Sequence, residues 1–291
     1  MLDPFTLVPP EYRASESTIA ILGDSTSLLE TIKPDCIDLV FADPPYNIGK
    51  EFEKKIARDV YITWCKGWID QCMRVLKPTG TMYLMAATQF LPYLDIHVSE
   101  KWMVRSRIVW HYDSSGVQAR RHFGSMYEPI LMIVKDEESY KFNAEAVMVE
   151  ARSGAVRKLI DYRKTPPQPY SNKKVMGNVW EIPRVRFKMP EYENHGTQKP
   201  ERLLEIPLLA STDPGDIVLD PFAGSFTTCA VAQRLGRKSI GIEINEEYFK
   251  MGLRRLGLAT EYKGERLVKV KSRKTNNKSK KDHEKDGQAD R

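Results

Sequence analysis

The stretch "DIVLDPFAGSFTT", Asp216–Thr228, decides the fold. An apolar run, Ile217–Leu219, stops at an acid and a proline, turns through a single glycine, and enters a helical pattern around Thr228 to Leu235. Downstream, "KSIGIEIN" (Lys238–Asn245) is a second apolar run, closing on Glu243 ahead of a helical pattern from Glu246 to Leu256. Strand, turn, helix, strand, helix is the repeat of a doubly wound, mainly parallel α/β sheet. In such sheets ligands bind at the carboxyl ends of strands, where small residues let the backbone approach.

Working outward, the same alternation covers most of the chain. "STIAILGDS" reads as a strand ending at Asp24, and "CIDLVFADPPY" as the next. A helix follows from Tyr61 to Lys77, with Trp64, Trp68, Cys72 and Val75 expected as core contacts at helical spacing. "GTMYLMAA", "RSRIVWHY" and "EPILMIVKD" read as strands, with a weaker helix over "FLPYLDIHVSE". Periodicity fails from about Asn143 to Tyr192 and returns with a helix from Pro200 to Ala210. The expected organisation is a first half of the principal domain over 1–142, a basic insertion over 143–192, a second half over 193–262, and a basic tail over 263–291.

With 291 residues, 41% hydrophobic and 29% charged, the chain can bury a sizeable core. No run approaches the ~18 uncharged apolar residues of a membrane span, and the first residues lack a basic-then-apolar signal. Cys36, Cys65, Cys72 and Cys229 are scattered without metal-ligand spacing. Reduced thiols, a cytoplasmic setting and no metal are therefore expected. The net charge of +6 is unevenly placed. Ala151–Pro190 holds ten Lys and Arg against two acids, and Lys269–Arg291 holds nine against four. Two basic regions on an otherwise acidic body suit a polyanion. The tail lacks apolar residues and reads as a solvated end that can still touch phosphates. In the inner segment, prolines and aromatics punctuate the charge.

Glu243 sits where an acid hydrogen-bonds the hydroxyls of a ribose, about twenty residues past the glycine turn. The turn has one glycine where a pyrophosphate loop wants three, and Asp220 opens it. An acid there repels phosphate and suits a cationic group such as a sulfonium. In the first half, "VFADPPYNIG" (Val40–Gly49) ends its strand on an acid, two prolines and a tyrosine. Either it is a strand-ending turn, or a rigid corner presenting a carboxylate, carbonyls and a ring.

"DPPY" (Asp43–Tyr46), followed by "HGTQKPERLL" (His195–Leu204), "DPFAGSFTT" and "GIEIN", resembles the β-class amino-methyltransferases of DNA. In that family the catalytic motif precedes the cofactor motifs. The resemblance runs from about Ile21 to Leu256, with four motifs in the family's order. It implies S-adenosylmethionine as cofactor. Asp220, Phe222 and Gly224 would line its methionine portion, with Ala223 and Ser225 in the same turn and Lys199 alongside. Glu243 would hold its ribose, and Asp24 would lie near its adenine. It further implies double-stranded DNA as partner and no companion nuclease, and it leaves the assembly, homodimer included, open. The chain departs from the family at Phe226, where glycine is common, and at Gly196, where proline is. Phe226 is expected to narrow the cofactor turn.

The chemistry of the corner follows. An exocyclic amine on adenine is a poor nucleophile because its lone pair is delocalised into the ring. Asp43 can accept one of its N–H groups and the Pro44 carbonyl, fixed by Pro45, the other. Tyr46 offers a stacking face, and transfer then rests on positioning and electrostatics. The base must leave the duplex to be reached. The resemblance implies adenine N6 over cytosine N4, since cytosine-N4 members of the family more often carry serine where this chain has Asp43; RNA methylation or non-catalytic binding stand as the competing functions. Phe123, beside Arg120, Arg121 and His122, is a candidate second wall around the flipped base or else a core phenylalanine. Lys173, Lys174, Arg184 and Arg186 are candidates for reading sequence, arginine being the usual partner of guanine.

Overall fold

The computed structural model describes residues 15–49, 53, 55–113, 120–151, 159–169, 171–257, 260–263 and 266–269. Its centre is an eight-stranded sheet of β1 (Thr18–Leu22), β2 (Ile37–Ala42), β3 (Leu76–Met85), β4 (Met103–His111), β5 (Tyr127–Val134), β10 (Val179–Glu181), β11 (Ile217–Asp220) and β12 (Lys238–Glu243). The order across the sheet is β1-β12-β11-β2-β3-β5-β4-β10. All pairings are parallel except those of β5, which runs against β3 and β4.

Every residue of β2 is buried, as a strand covered on both faces requires. Side chains alternate across it. Val40 and Ala42 face one apolar layer with α2 (Arg58–Val75) and α3 (Leu91–Ser99), whereas Leu39 and Phe41 face another with α4 (Glu201–Ser211). The chain leaves β2 toward β3 but leaves β11 toward β12, in opposite directions along the sheet. The strand order therefore switches between β2 and β11, and a crevice opens at their carboxyl ends. Asp43 and Asp220 stand at those two ends.

Three local expectations are corrected. Asp24 does not merely end a strand. Its carboxylate accepts the Thr26 N–H at 3.0 Å and caps a short helix, α1 (Ser25–Thr31). Strand β3 begins at Leu76 rather than Gly80, across an irregularity where the register with β2 shifts. The segment 143–192 contributes a strand to the sheet. Its β10 adds a parallel edge beside β4, and the Trp110 indole N–H donates to the Ile182 carbonyl at 2.8 Å. The rest of that segment forms short ribbons: β6 (Met148–Glu150) with β9 (Lys173–Val175), and β7 (Ile160–Asp161) with β8 (Gln168–Pro169). Two-residue strands carry too little periodicity to be read from sequence. A hairpin of β13 (Thr260–Lys263) and β14 (Arg266–Lys269) crosses the boundary expected at 262. The tail from 270 onward lies outside the described residues.

Candidate active site

At the switch point a single cavity of about 240 Å3 is lined by Asp43, Pro44, Pro45 and Tyr46 from the end of β2 and by Asp220, Phe222, Ala223, Gly224 and Ser225 from the end of β11. Asp24, Lys199 and Glu243 complete its wall. All twelve residues singled out for catalysis and cofactor thus meet at one place, although 200 positions separate Asp43 from Glu243 in the chain.

The corner after β2 is held rigid. The Tyr61 hydroxyl donates to the Pro45 carbonyl at 2.6 Å, and the Tyr46 hydroxyl donates to Glu128 Oε2 at 2.9 Å. Beyond the tyrosine the loop reverses through positive φ at Asn47 (55°) and Gly49 (80°). The amides of Asn47, Ile48 and Gly49 converge on the Glu53 carboxylate at 2.8, 2.7 and 3.0 Å. Lys199 Nζ lies 3.0 Å from Asp43 Oδ2 and 3.1 Å from Glu128 Oε2, and 5.3 Å from the centre of the Tyr46 ring. The sequence reading puts Lys199 alongside the cofactor; it lines the cavity, and its ammonium sits between two carboxylates of the corner.

The electrostatics follow from burial. Desolvation raises the Asp43 carboxyl above its ordinary range, and the Lys199 ammonium offsets this only in part. Burial works against ionisation of Glu128 too, but Lys199 and the hydroxyls of Tyr46 and Tyr112 outweigh it and hold that carboxyl low. Lys199 stays charged because its two carboxylate partners overcome its own desolvation.

Across the cavity, Glu243 Oε2 accepts the Gly224 N–H at 2.7 Å and Oε1 accepts the Asn245 N–H at 2.8 Å. These bonds orient the carboxylate while burial raises it. Gly224 has φ of +50°, and a Cβ there would come within 3.1 Å of His195 Nε2, so glycine suits both the turn and the packing. Asp220 accepts the Phe222 N–H at 3.0 Å, and burial pushes its carboxyl up to about 7. Phe222 packs on Trp68 and Trp64, with ring centres 4.9 and 5.8 Å apart. A pocket walled by acids and aromatic rings fits a nucleoside bearing a positive sulfonium and disfavours a pyrophosphate.

Phe226 does not narrow this turn. It takes a left-handed conformation (φ 57°) that sends its ring away from the cavity, fully buried against Phe249. Gly241 and Gly252 make the room, since a Cβ on Gly252 would lie 2.1 Å from the Phe226 ring. Gly196, the other departure, is exposed.

The substrate candidates are scattered. Phe123 is 101% exposed, which removes the core alternative for it, and Arg121 beside it is exposed as well. Arg184 is exposed, its guanidinium 5.2 Å from the centre of the Tyr112 ring, and Arg186 is exposed two residues on. Lys173 and Lys174 lie on β9, outside the cavity wall. Sequence reasoning missed Glu128 and Tyr112, which are bonded to the corner, and His195 and Tyr248, which line the cavity; it placed Trp64 in the core where it also lines the cavity. Glu128 had one visible signal, an acid and a proline opening the apolar run of β5. Among the described residues, no group of three or more His, Cys, Asp or Glu side chains is gathered as for a metal, and no helix is long and apolar enough to cross a membrane.

The chain is 58% identical over 274 residues to the DNA adenine methyltransferase YhdJ of Escherichia coli (strain K12), covering 93% of each chain. It is 33% identical to the type II methyltransferase M.HpaI of Haemophilus parainfluenzae, over 81% of this chain and 73% of that one. Among solved structures, the cytosine-N4-specific PvuII DNA methyltransferase shares the fold with a TM-score of 0.67 at 20% identity, covering 84% of this chain and 89% of that one. The M1.HpyAVI–SAM complex does so at 0.58 and 23%, covering 83% of this chain and 100% of that one. Residues 37–254, from the first strand of the acidic corner to the last helix beside the cavity, match the family described as DNA methylase, and the chain belongs to that family.

Proposed function

We propose that this chain transfers a methyl group from S-adenosylmethionine to the N6 amine of adenine in a specific DNA sequence, after flipping the base out of the stack. The observation that carries the reading is the meeting of Asp43 with the Asp220–Glu243 wall in one cavity, in a chain 58% identical to an adenine methyltransferase of DNA. Bound S-adenosylmethionine supplies an electrophilic methyl on a positive sulfur. The residues that would hold it are Glu243 at the ribose hydroxyls, the Asp220–Ser225 turn at the methionine portion and Asp24 near the adenine. Asp43 and the Pro44 carbonyl accept the two N–H groups of the target amine and draw its nitrogen toward tetrahedral geometry. Tyr46, anchored through its hydroxyl, presents a fixed face on which the base stacks, worth ~1–3 kcal/mol. Holding nucleophile and acceptor in line supplies most of the acceleration.

Segment 143–192 is the part that reads sequence in this proposal, with Arg184 and Arg186 nearest the flipped base. Duplex DNA as the working substrate, a cytoplasmic setting and action without a companion nuclease belong to the same reading. Labelled cofactor offered with duplex DNA and structured RNA side by side tests it. Label is expected in the adenine of DNA; label confined to RNA, or to cytosine, would contradict it.

A further inference from the structure

No motif singles out Glu128, yet its carboxylate joins three parts of the site. It stands near the head of β5, the strand that runs against its neighbours, and so at the same edge of the sheet as Asp43. Oε2 accepts the Tyr46 hydroxyl at 2.9 Å and lies 3.1 Å from Lys199 Nζ, and Oε1 accepts the Tyr112 hydroxyl at 3.2 Å. The Tyr112 ring lies under the Arg184 guanidinium, 5.2 Å from its centre, and packs on Trp110, centre to centre 4.9 Å. Trp110 is bonded to the backbone of Ile182. One part-buried acid thereby links the stacking tyrosine, the cation beside Asp43 and the edge of the basic insertion.

Resting on the reading of Asp43 as the acceptor of the amine, we propose that Glu128 is a positioning residue for methyl transfer, drawing the Lys199 ammonium partly off Asp43 and locking the Tyr46 ring so that the Asp43 carboxylate stays open to the target base. With Lys199 alone, Asp43 would close into a neutral pair and offer the amine a weaker acceptor. With Glu128 present the three groups carry one net negative charge, and the ammonium is shared. That charge faces the amine nitrogen, which becomes positive as the methyl arrives, and in a buried site the attraction is barely screened. The hydroxyl bond to Glu128 also tethers the tip of the Tyr46 side chain, limiting its swing about χ1 and so the place where the base stacks. Because the same acid is bonded to Tyr112 beneath Arg184, seating of the insertion on DNA and ordering of the corner share one hydrogen-bonded network.

Glu128→Gln tests this, since it keeps the size and an acceptor for Tyr46 while removing the charge. The expected result is a fall in kcat of about 10²-fold, with S-adenosylmethionine affinity by calorimetry and KM for DNA changed by less than about threefold. The acid limb of kcat against pH should also move to lower pH. Glu128 is one of the groups that raise Asp43, alongside burial, whereas Lys199 and the Tyr46 hydroxyl lower it; Asp220 is the other carboxylate that shares its field. Glu128→Ala should be slower still, because it frees the Tyr46 ring as well. An unchanged kcat in Glu128→Gln overturns the inference. So does a loss that tracks the melting temperature and leaves the acid limb in place, the signature of a merely structural acid. A wild-type protein that transfers no methyl to DNA would instead defeat the functional reading itself, and this inference with it.

Discussion

Two acids on the cofactor wall carry predictions of their own. Glu243 is oriented by two backbone amides and left with lone pairs toward the cavity. Charge-assisted bonds to ribose hydroxyls contribute ~1.5–3 kcal/mol each. Glu243→Ala should therefore weaken S-adenosylmethionine by at least tenfold in calorimetry while binding DNA as before; unchanged cofactor affinity would place the ribose acid elsewhere. Asp220 makes a pH prediction. Its carboxyl is raised from 3.8 to about 7, so between those values the folded state holds a proton that the unfolded state releases. Its contribution to stability is present at low pH and is lost as pH rises through about 7. The melting temperature of wild type relative to Asp220→Asn should accordingly fall from pH 5 to pH 8. A cationic ligand favours the ionised acid, so cofactor affinity should tighten over the same range in wild type and stay flat in the variant.

At the scale of elements, the turn into α5 (Thr227–Arg234) and the helix α6 (Glu246–Arg255) are fitted to each other. Phe226 fills the space that Gly252 leaves open. Gly252→Ala would drive a methyl into that ring, and overpacking of this kind typically costs ~1–3 kcal/mol. The expected result is a lower denaturant midpoint, with cofactor affinity in the still-folded protein close to wild type, since the ring lies away from the cavity. A variant as stable as wild type would contradict the packing.

The same pair shows where sequence stops being legible. The strands and helices around Asp43, Asp220 and Glu243 were readable because long apolar periods and sharp turn signals agree there. The direction of the Phe226 ring was not, because it depends on a glycine 26 positions away on another element. Likewise the strand "EPILMIVKD" was visible, but its reversal against β3, which brings Glu128 to the corner, is a tertiary fact. Lys199 was legible as a site residue and not as the partner of Asp43, since nothing local says which way a lysine after a turn will point.

Over the whole molecule, the two basic regions should do different work. Arg184 stacks on the Tyr112 ring, which is itself bonded to Glu128. Arg184→Ala or Arg186→Ala should penalise the cognate duplex more than a scrambled one, by ~1–3 kcal/mol where the residue pairs with a base. Deleting the residues beyond Lys269 should weaken every duplex alike. For each phosphate no longer neutralised, the slope of log K against log salt should flatten by ~0.9. Binding curves on both duplexes at several salt concentrations separate the two. Loss of site preference on tail deletion, with both arginine variants unaffected, would reverse the assignment.

The central claim is that the Asp43 corner methylates adenine N6 in DNA. Its most direct measurement is nucleoside analysis with modified-base sequencing of DNA from cells carrying the wild-type chain or Asp43→Ala. N6-methyladenine at one short sequence is expected with wild type. In the variant the mark should be absent, transfer should be lowered by ~10²-fold or more, and cofactor binding should be nearly unchanged. N4-methylcytosine in its place, or N6-methyladenine persisting with Asp43→Ala at more than about a tenth of the wild-type rate, would contradict it.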